Sequence, residues 1–221
     1  MPFFLILVLI AGCTPEPKGE KVTDIDGNVY YSTTIGEQVW LRSNLKTVRL
    51  NDGTSITFAP STWAVNTPVY CNIKNDDRNT NPFGKLYNFH VVATGKICPE
   101  GWRVPTLEDW NTLIDHLGGR EVAGGKLKEK GTDNWNIPNT RATNETLFSA
   151  LPAGYRTLLT ANNTAFSGFH ADGYHWSSSE ATTIASAYAV VMSSTSGGIV
   201  TSGYDKRLGM SIRCIKNSPG N

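Results

Sequence analysis

This sequence has no excess of either charge: 20 Lys and Arg stand against 19 Asp and Glu, for a formal net charge of +1. It also has no local run of Lys and Arg. A chain that tracks a phosphate backbone needs a basic patch or stripe, so nucleic acid is not an expected partner. Long apolar runs are missing too. The stretch 3–11 falls well short of the roughly 20 residues that a helix needs to cross a bilayer. Long helix-forming runs are few, while Gly, Ser, Thr and Asn are frequent, which predicts short strands and many turns. Disorder is excluded from the other side, because 39% of residues are apolar and only 18% charged. At 221 residues the chain suffices for one full-sized domain and is short for two.

The apolar stretch fits the hydrophobic region of a secretory signal. It ends in Ile10-Ala11-Gly12-Cys13, which resembles the lipobox of bacterial lipoproteins. That resemblance implies a signal peptide over 1–12 and lipidation of Cys13, with membrane attachment through its acyl chains. No Lys or Arg precedes the stretch, so either the true start lies upstream or the leader is unusual. Thr14-Pro15-Glu16-Pro17-Lys18-Gly19 is polar and Pro-rich, as a flexible tether over 13–22 should be. The expected location is the bacterial cell envelope, at the outer membrane or cell surface.

From residue 23 to 217 the pattern is that of a folded domain. Asp26-Gly27-Asn28 between two alternating segments reads as a β-hairpin turn. The same residues open like a calcium loop, but the twelfth position is Ile35 rather than a bidentate Glu, which favours a plain turn. A further short strand is expected at 38–41, short apolar segments lie at 69–71 and 86–89, and after Phe148 the chain returns to strand and loop at 151–156 and 174–177, with 187–192 and 210–215 ending the domain. After Pro105, Thr106 can cap a helix, with Asp109 completing a capping box and Leu107, Trp110, Leu113, Ile114 and Leu117 on one face. Gly118-Gly119 ends it. A second helix within 122–129 is expected to start late because of Gly124 and Gly125. Strands, then central helices, then more strands make an α+β domain.

Several segments in order resemble one family, the Fibrobacter succinogenes major paralogous domain. They include Asp26-Gly27-Asn28-Val29-Tyr30, Gly36-Glu37-Gln38-Val39-Trp40 and Gly84-Lys85-Leu86-Tyr87-Asn88. Cys98-Pro99-Glu100-Gly101-Trp102-Arg103, Leu151-Pro152-Ala153-Gly154-Tyr155-Arg156, Trp176-Ser177-Ser178-Ser179-Glu180 and Ser211-Ile212-Arg213-Cys214 complete the match. The resemblance implies a C-type-lectin-like fold, with paired ends, one or two central helices and long loops. It also implies a disulfide between Cys98 and Cys214. Cys71 is left over; its pairing with either partner, or three free thiols, are the alternatives.

No catalytic constellation emerges, and no cofactor or metal is expected. His170, Asp172 and His175 lie close in sequence but match no zinc spacing. The calcium-binding lectin motifs are missing. Cys214 has no neighbouring cysteine, unlike the copper-ligating pair of the formylglycine-generating enzymes that share the implied fold. Ser177, Ser178 and Ser179 lack an elbow and a His–Asp partner. Trp63, Trp135 and Trp176, in loop-like contexts, are the expected exposed platform for stacking on a sugar, whereas Trp40, Trp102 and Trp110 read as core. The expected function is a non-enzymatic, lipid-anchored module that binds glycan or protein. A degenerate relative of fold-sharing enzymes and a structural surface protein are the alternatives.

Overall fold

The computed structural model describes residues 19–61, 63, 66–158 and 165–218. The leader, Cys13 and the tether up to Lys18 lie outside the described residues. No helix among the described residues is long and apolar enough to cross a membrane.

The hairpin forms from β1 (Lys21–Thr23) and β2 (Val29–Ile35) in antiparallel register. Its turn is held by Asp24, whose Oδ1 accepts from the backbone N–H groups of Asp26 at 3.0 Å and Asn28 at 2.9 Å. The Tyr30 hydroxyl donates to Asp24 Oδ2, and Val48 N–H donates to Asp26 Oδ2. Both carboxylates are thus occupied by the protein's own donors, as a plain turn requires. β3 (Gln38–Leu41) pairs with β2.

The chain continues through β4 (Thr57–Phe58), β5 (Val69–Cys71), the one-turn helix α1 (Thr80–Phe83), β6 (Leu86–Tyr87), the one-turn α2 (Phe89–Val92) and β7 (Trp102–Arg103). Helices α3 (Leu107–His116) and α4 (Arg120–Leu127) follow, then β8 (Tyr155–Arg156) and β9 (Phe166–Ser167). The last strands are β10 (Asp172–Glu180), β11 (Ser186–Ser193), β12 (Ile199–Asp205) and β13 (Ile215–Lys216). The result is a mixed α+β fold, mostly strands with few helices. One sheet has the order β1-β2-β3-β13-β7, so the last strand lies between β3 and β7. Ile215 pairs with Trp40 on one side and Arg103 on the other. The disulfide joins Cys98, just before β7, to Cys214, at the start of β13. Cys71 is a free thiol in the core, and burial pushes it up to about 12.

Helix α3 carries the capping box: Thr106 Oγ1 accepts from Asp109 N–H, and the Asp109 carboxylate accepts from Thr106 N–H. Arg103 makes a two-pronged ion pair with the same carboxylate, so β7 and the helix start share one anchor. Trp110, Leu113 and Ile114 are buried on its inner face, and Leu117 at its C-cap is buried with them. Helix α4 departs from expectation, because it starts at Arg120 and takes Gly124 and Gly125 into its interior. The reason is close approach. A Cβ at Gly124 would lie 2.2 Å from the Gly198 carbonyl oxygen, and one at Gly125 2.4 Å from that of Arg141. The glycines let the helix rest directly on neighbouring backbone, which outweighs their low helix propensity.

The core contains cations without carboxylate partners. Arg213 is fully buried, stacked over the Phe148 ring at 4.3 Å. Its guanidinium donates to the carbonyls of Leu41 and Phe148 and, at 2.8 Å, to Asn44 Oδ1. Asn44 directs its amide N–H groups to the Phe83 carbonyl and Ser211 Oγ, so its oxygen is the acceptor facing His175. His175 therefore donates from Nε2 at 3.1 Å, and burial together with Arg213 holds it well below the usual histidine range. Lys128 donates to the carbonyls of Thr140, Ser193 and Ser196 at 3.0, 2.8 and 2.8 Å.

Two outcomes follow in equilibrium unfolding. Arg213→Met strands the Leu41 and Phe148 carbonyls and lowers stability by about 2–6 kcal/mol, whereas Arg78→Met, beside Asp76 on the surface, leaves the midpoint unchanged. Because the folded state disfavours protonated His175, the unfolded state binds the proton more readily. The stability this contributes is complete above the ordinary histidine pKa of about 6.5 and is lost as pH falls below it, at a slope of up to about 1.4 kcal/mol per pH unit. In His175→Gln that part of the slope is gone.

Candidate functional site

The three tryptophans expected on the surface are core residues. Trp63, Trp135 and Trp176 are 0%, 1% and 0% exposed. Each indole N–H donates to a backbone carbonyl: Trp63 to Arg207, Trp135 to Ala150 and Trp176 to Tyr87. Trp63 and Trp135 pin irregular backbone to the core, and Trp176 is an inward-facing residue of strand β10. Trp40, Trp102 and Trp110 are also buried.

The other candidate groups are dispersed. His175 and Asp172, three residues apart on β10, project to opposite faces, since side chains alternate along a strand. His170 makes its own hydrogen bond from Nδ1 to the Asn134 carbonyl at 2.6 Å. Among the described residues no group of three or more His, Cys, Asp or Glu is placed to hold a metal ion. Ser177 Oγ accepts from Ser179 N–H, and Ser179 Oγ accepts from Leu107 N–H at the start of α3. The serines tie β10 to the helix.

A cluster of tyrosines that the sequence did not single out occupies the surface instead. In the sheet β10-β11-β12, Tyr174 pairs with Val191, and Tyr204 pairs with Ala187. Cross-strand partners share a face. Ala187 and Ala189 on the middle strand carry only methyl groups, and rings held two strands apart meet with centroids 5.9 Å apart at 86°. Tyr155 enters from β8. A parallel bridge joins Gly154 to Gly173, so the next residue of each chain, Tyr155 and Tyr174, stands side by side at 4.7 Å and 55°.

Gly154 has φ +63°, and a Cβ there would fall 2.3 Å from the Ser167 carbonyl oxygen, so glycine is what permits this approach. All three tyrosines are half-buried, with ring edges packed on the core that contains Trp176, Ala187 and Ala189. None of their hydroxyls is hydrogen-bonded within the described residues. Burial raises Tyr174 and Tyr204 above the usual phenol range, and the Asp172 carboxylate adds to it. The hydroxyls stay neutral donors and acceptors across the physiological range. Val200, 61% exposed, continues the same sheet face.

The corner made by these rings presents aromatic surface with hydroxyls at the edge. That is the chemistry that stacks on a sugar's C–H face and hydrogen-bonds its hydroxyls. The signal in sequence was weak because Tyr155, Tyr174 and Tyr204 are far apart in the chain, and only the glycine bridge and the short alanines bring them together. A separate cleft of about 730 Å³ is lined by Glu20, Arg42, His116, Glu145 and Lys216 among others. Two of its acids are already ion-paired, Glu20 with Lys216 and Glu145 with Lys126. The displaced groups Cys71 and His175 are both 0% exposed in the core.

If Gly154 sets the tyrosine corner, Gly154→Ala lowers stability by more than about 1 kcal/mol. It also alters the near-ultraviolet circular dichroism of the tyrosines. A variant with unchanged melting and spectrum would show that the bridge does not hold the corner.

No curated protein and no solved structure matches the chain. A family model, the Fibrobacter succinogenes major domain, matches residues 33–216, from within β2 to the end of β13. With most of its length covered by that match, the chain belongs to the Fibrobacter succinogenes major domain family.

Proposed function

We propose that this protein is a lipid-anchored binding module of the bacterial envelope, and that the Tyr155–Tyr174–Tyr204 corner is its glycan-binding surface. The domain is read as C-type-lectin-like. Three features support that fold: the final strand in one sheet with the N-terminal strands, the central pair of helices, and the disulfide from the segment before α3 to the residue that opens into the last strand. Anchoring through Cys13 rests on the lipobox-like Ile10-Ala11-Gly12-Cys13 and the Pro-rich tether behind it.

The observation that carries the binding reading is the tyrosine corner itself. Half-exposed rings with unengaged hydroxyls stabilise neither core nor loop as well as phenylalanine would. A non-catalytic role is supported by the position of Cys71 and His175, which are buried in the core rather than set around a reacting atom.

Two measurements test this. On a glycan array the intact protein gives discrete positives. Tyr174→Ala or Tyr204→Ala weakens each by about 2- to 12-fold, the value of one aromatic contact of about 0.5–1.5 kcal/mol. A blank array, or positives indifferent to both substitutions, contradicts the assignment. For the anchor, cells fed a fatty-acid analogue label the native protein and not Cys13→Ala; label retained by the variant contradicts it.

A further inference from the structure

The tyrosine corner has a charge of its own. Asp172 lies two residues before Tyr174 on β10 and projects from the same face. Its carboxylate and the Tyr174 ring edge converge on one point: a Cβ at Gly168 would lie 3.1 Å from Asp172 Oδ2 and 3.5 Å from Tyr174 Cε2. Gly168, at φ +73°, leaves that position open. Nothing among the described residues hydrogen-bonds or ion-pairs with this carboxylate.

The nearby cations are committed elsewhere. Arg156 follows Tyr155 in the chain, but its guanidinium is 1% exposed and held between the Trp63 and Phe166 rings at 5.0 and 5.1 Å. Arg207 is paired with Asp205, and Lys206 with Glu180. The Asp172 charge reaches the phenols directly, since it contributes to the raised titration of both Tyr174 and Tyr204.

An unpaired carboxylate beside electron-rich ring faces favours a cation, through a charge-assisted hydrogen bond and the cation–π attraction. It repels an anion by the same field. Building on the glycan-binding reading above, we infer that the corner of Tyr155, Tyr174, Tyr204 and Asp172 selects sugars bearing a free amine, and rejects uronic and other acidic sugars. Ring stacking supplies the contact with the sugar body, and Asp172 takes the ammonium. A neutral N-acetylated sugar keeps the stacking but loses the charged contact.

The test is a calorimetric comparison on the full-length protein. The probes are glucosamine oligosaccharides, their fully N-acetylated counterparts of equal length, and oligogalacturonate, in mildly acidic buffer that keeps the amines protonated. The free-amine series binds on the order of tenfold more tightly than the acetylated one, a difference of about 1.4 kcal/mol. Added salt narrows the gap. Asp172→Asn abolishes the preference between the two series, because the neutral amide no longer attracts the ammonium.

Equal affinity for the two series, or a preference that survives in Asp172→Asn, overturns the amine selectivity while the tyrosine reading stands. Tightest binding to oligogalacturonate overturns it as well. Failure of every probe and of the glycan array together removes the tyrosine reading and this inference with it.

Discussion

The fold closes around one buried guanidinium. Arg213 has no carboxylate partner, so its charge is accommodated by carbonyl dipoles, an amide oxygen and the face of Phe148. Each of those acceptors belongs to a different part of the chain: Leu41 on β3, Asn44 in the loop behind it, and Phe148 in the irregular segment after α4. A charge left unpaired in a core is too costly to tolerate. All these segments must therefore be in place together, and the disulfide at the adjacent Cys214 fixes the same point to the segment before β7. Lys128 repeats the device at the end of α4, gathering carbonyls from Thr140, Ser193 and Ser196. A protein short of long helices and wide sheets thus orders its loops by giving each a carbonyl that a buried cation requires.

That logic explains several of the chain's glycines and asparagines. Gly124 and Gly125 admit backbone against a helix, Gly154 admits backbone against β10, and Asn44 joins Arg213 to His175. These residues act on tertiary approach, and short-range propensity does not reveal it. The first hairpin, the capping box of α3 and the core role of Trp40, Trp102 and Trp110 were legible, because each depends on neighbours a few residues away. The start of α4 was misjudged because Gly124 and Gly125 read as breakers until the backbone beneath them is seen. β12 gave little signal. Its sequence, Ile199-Val200-Thr201-Ser202-Gly203-Tyr204-Asp205, is an edge strand with only Ile199 buried, so no alternation of apolar and polar residues marks it.

The candidate site was misplaced in sequence for a related reason. Tryptophan in a loop looked available, yet the indole N–H of each of the three found a carbonyl and the ring went inward. Tyrosine, with a hydroxyl that water satisfies, is the aromatic residue left at the boundary. Its partly exposed rings at positions 155, 174 and 204 join the core to the surface: the same alanines that let β11 pack inward let the rings converge outward. Family membership locates the domain among related chains, while the proposed specificity of this one rests on a few side chains on a single sheet face.

The most direct measurement is nuclear magnetic resonance of protein labelled only in tyrosine rings, titrated with a glycan that binds. Ligand is expected to shift the ring signals of Tyr155, Tyr174 and Tyr204, and to leave those of Tyr30 and Tyr87, which are 1% and 0% exposed, where they are. Saturable binding that moves none of the three would contradict the account and place the ligand elsewhere on the molecule.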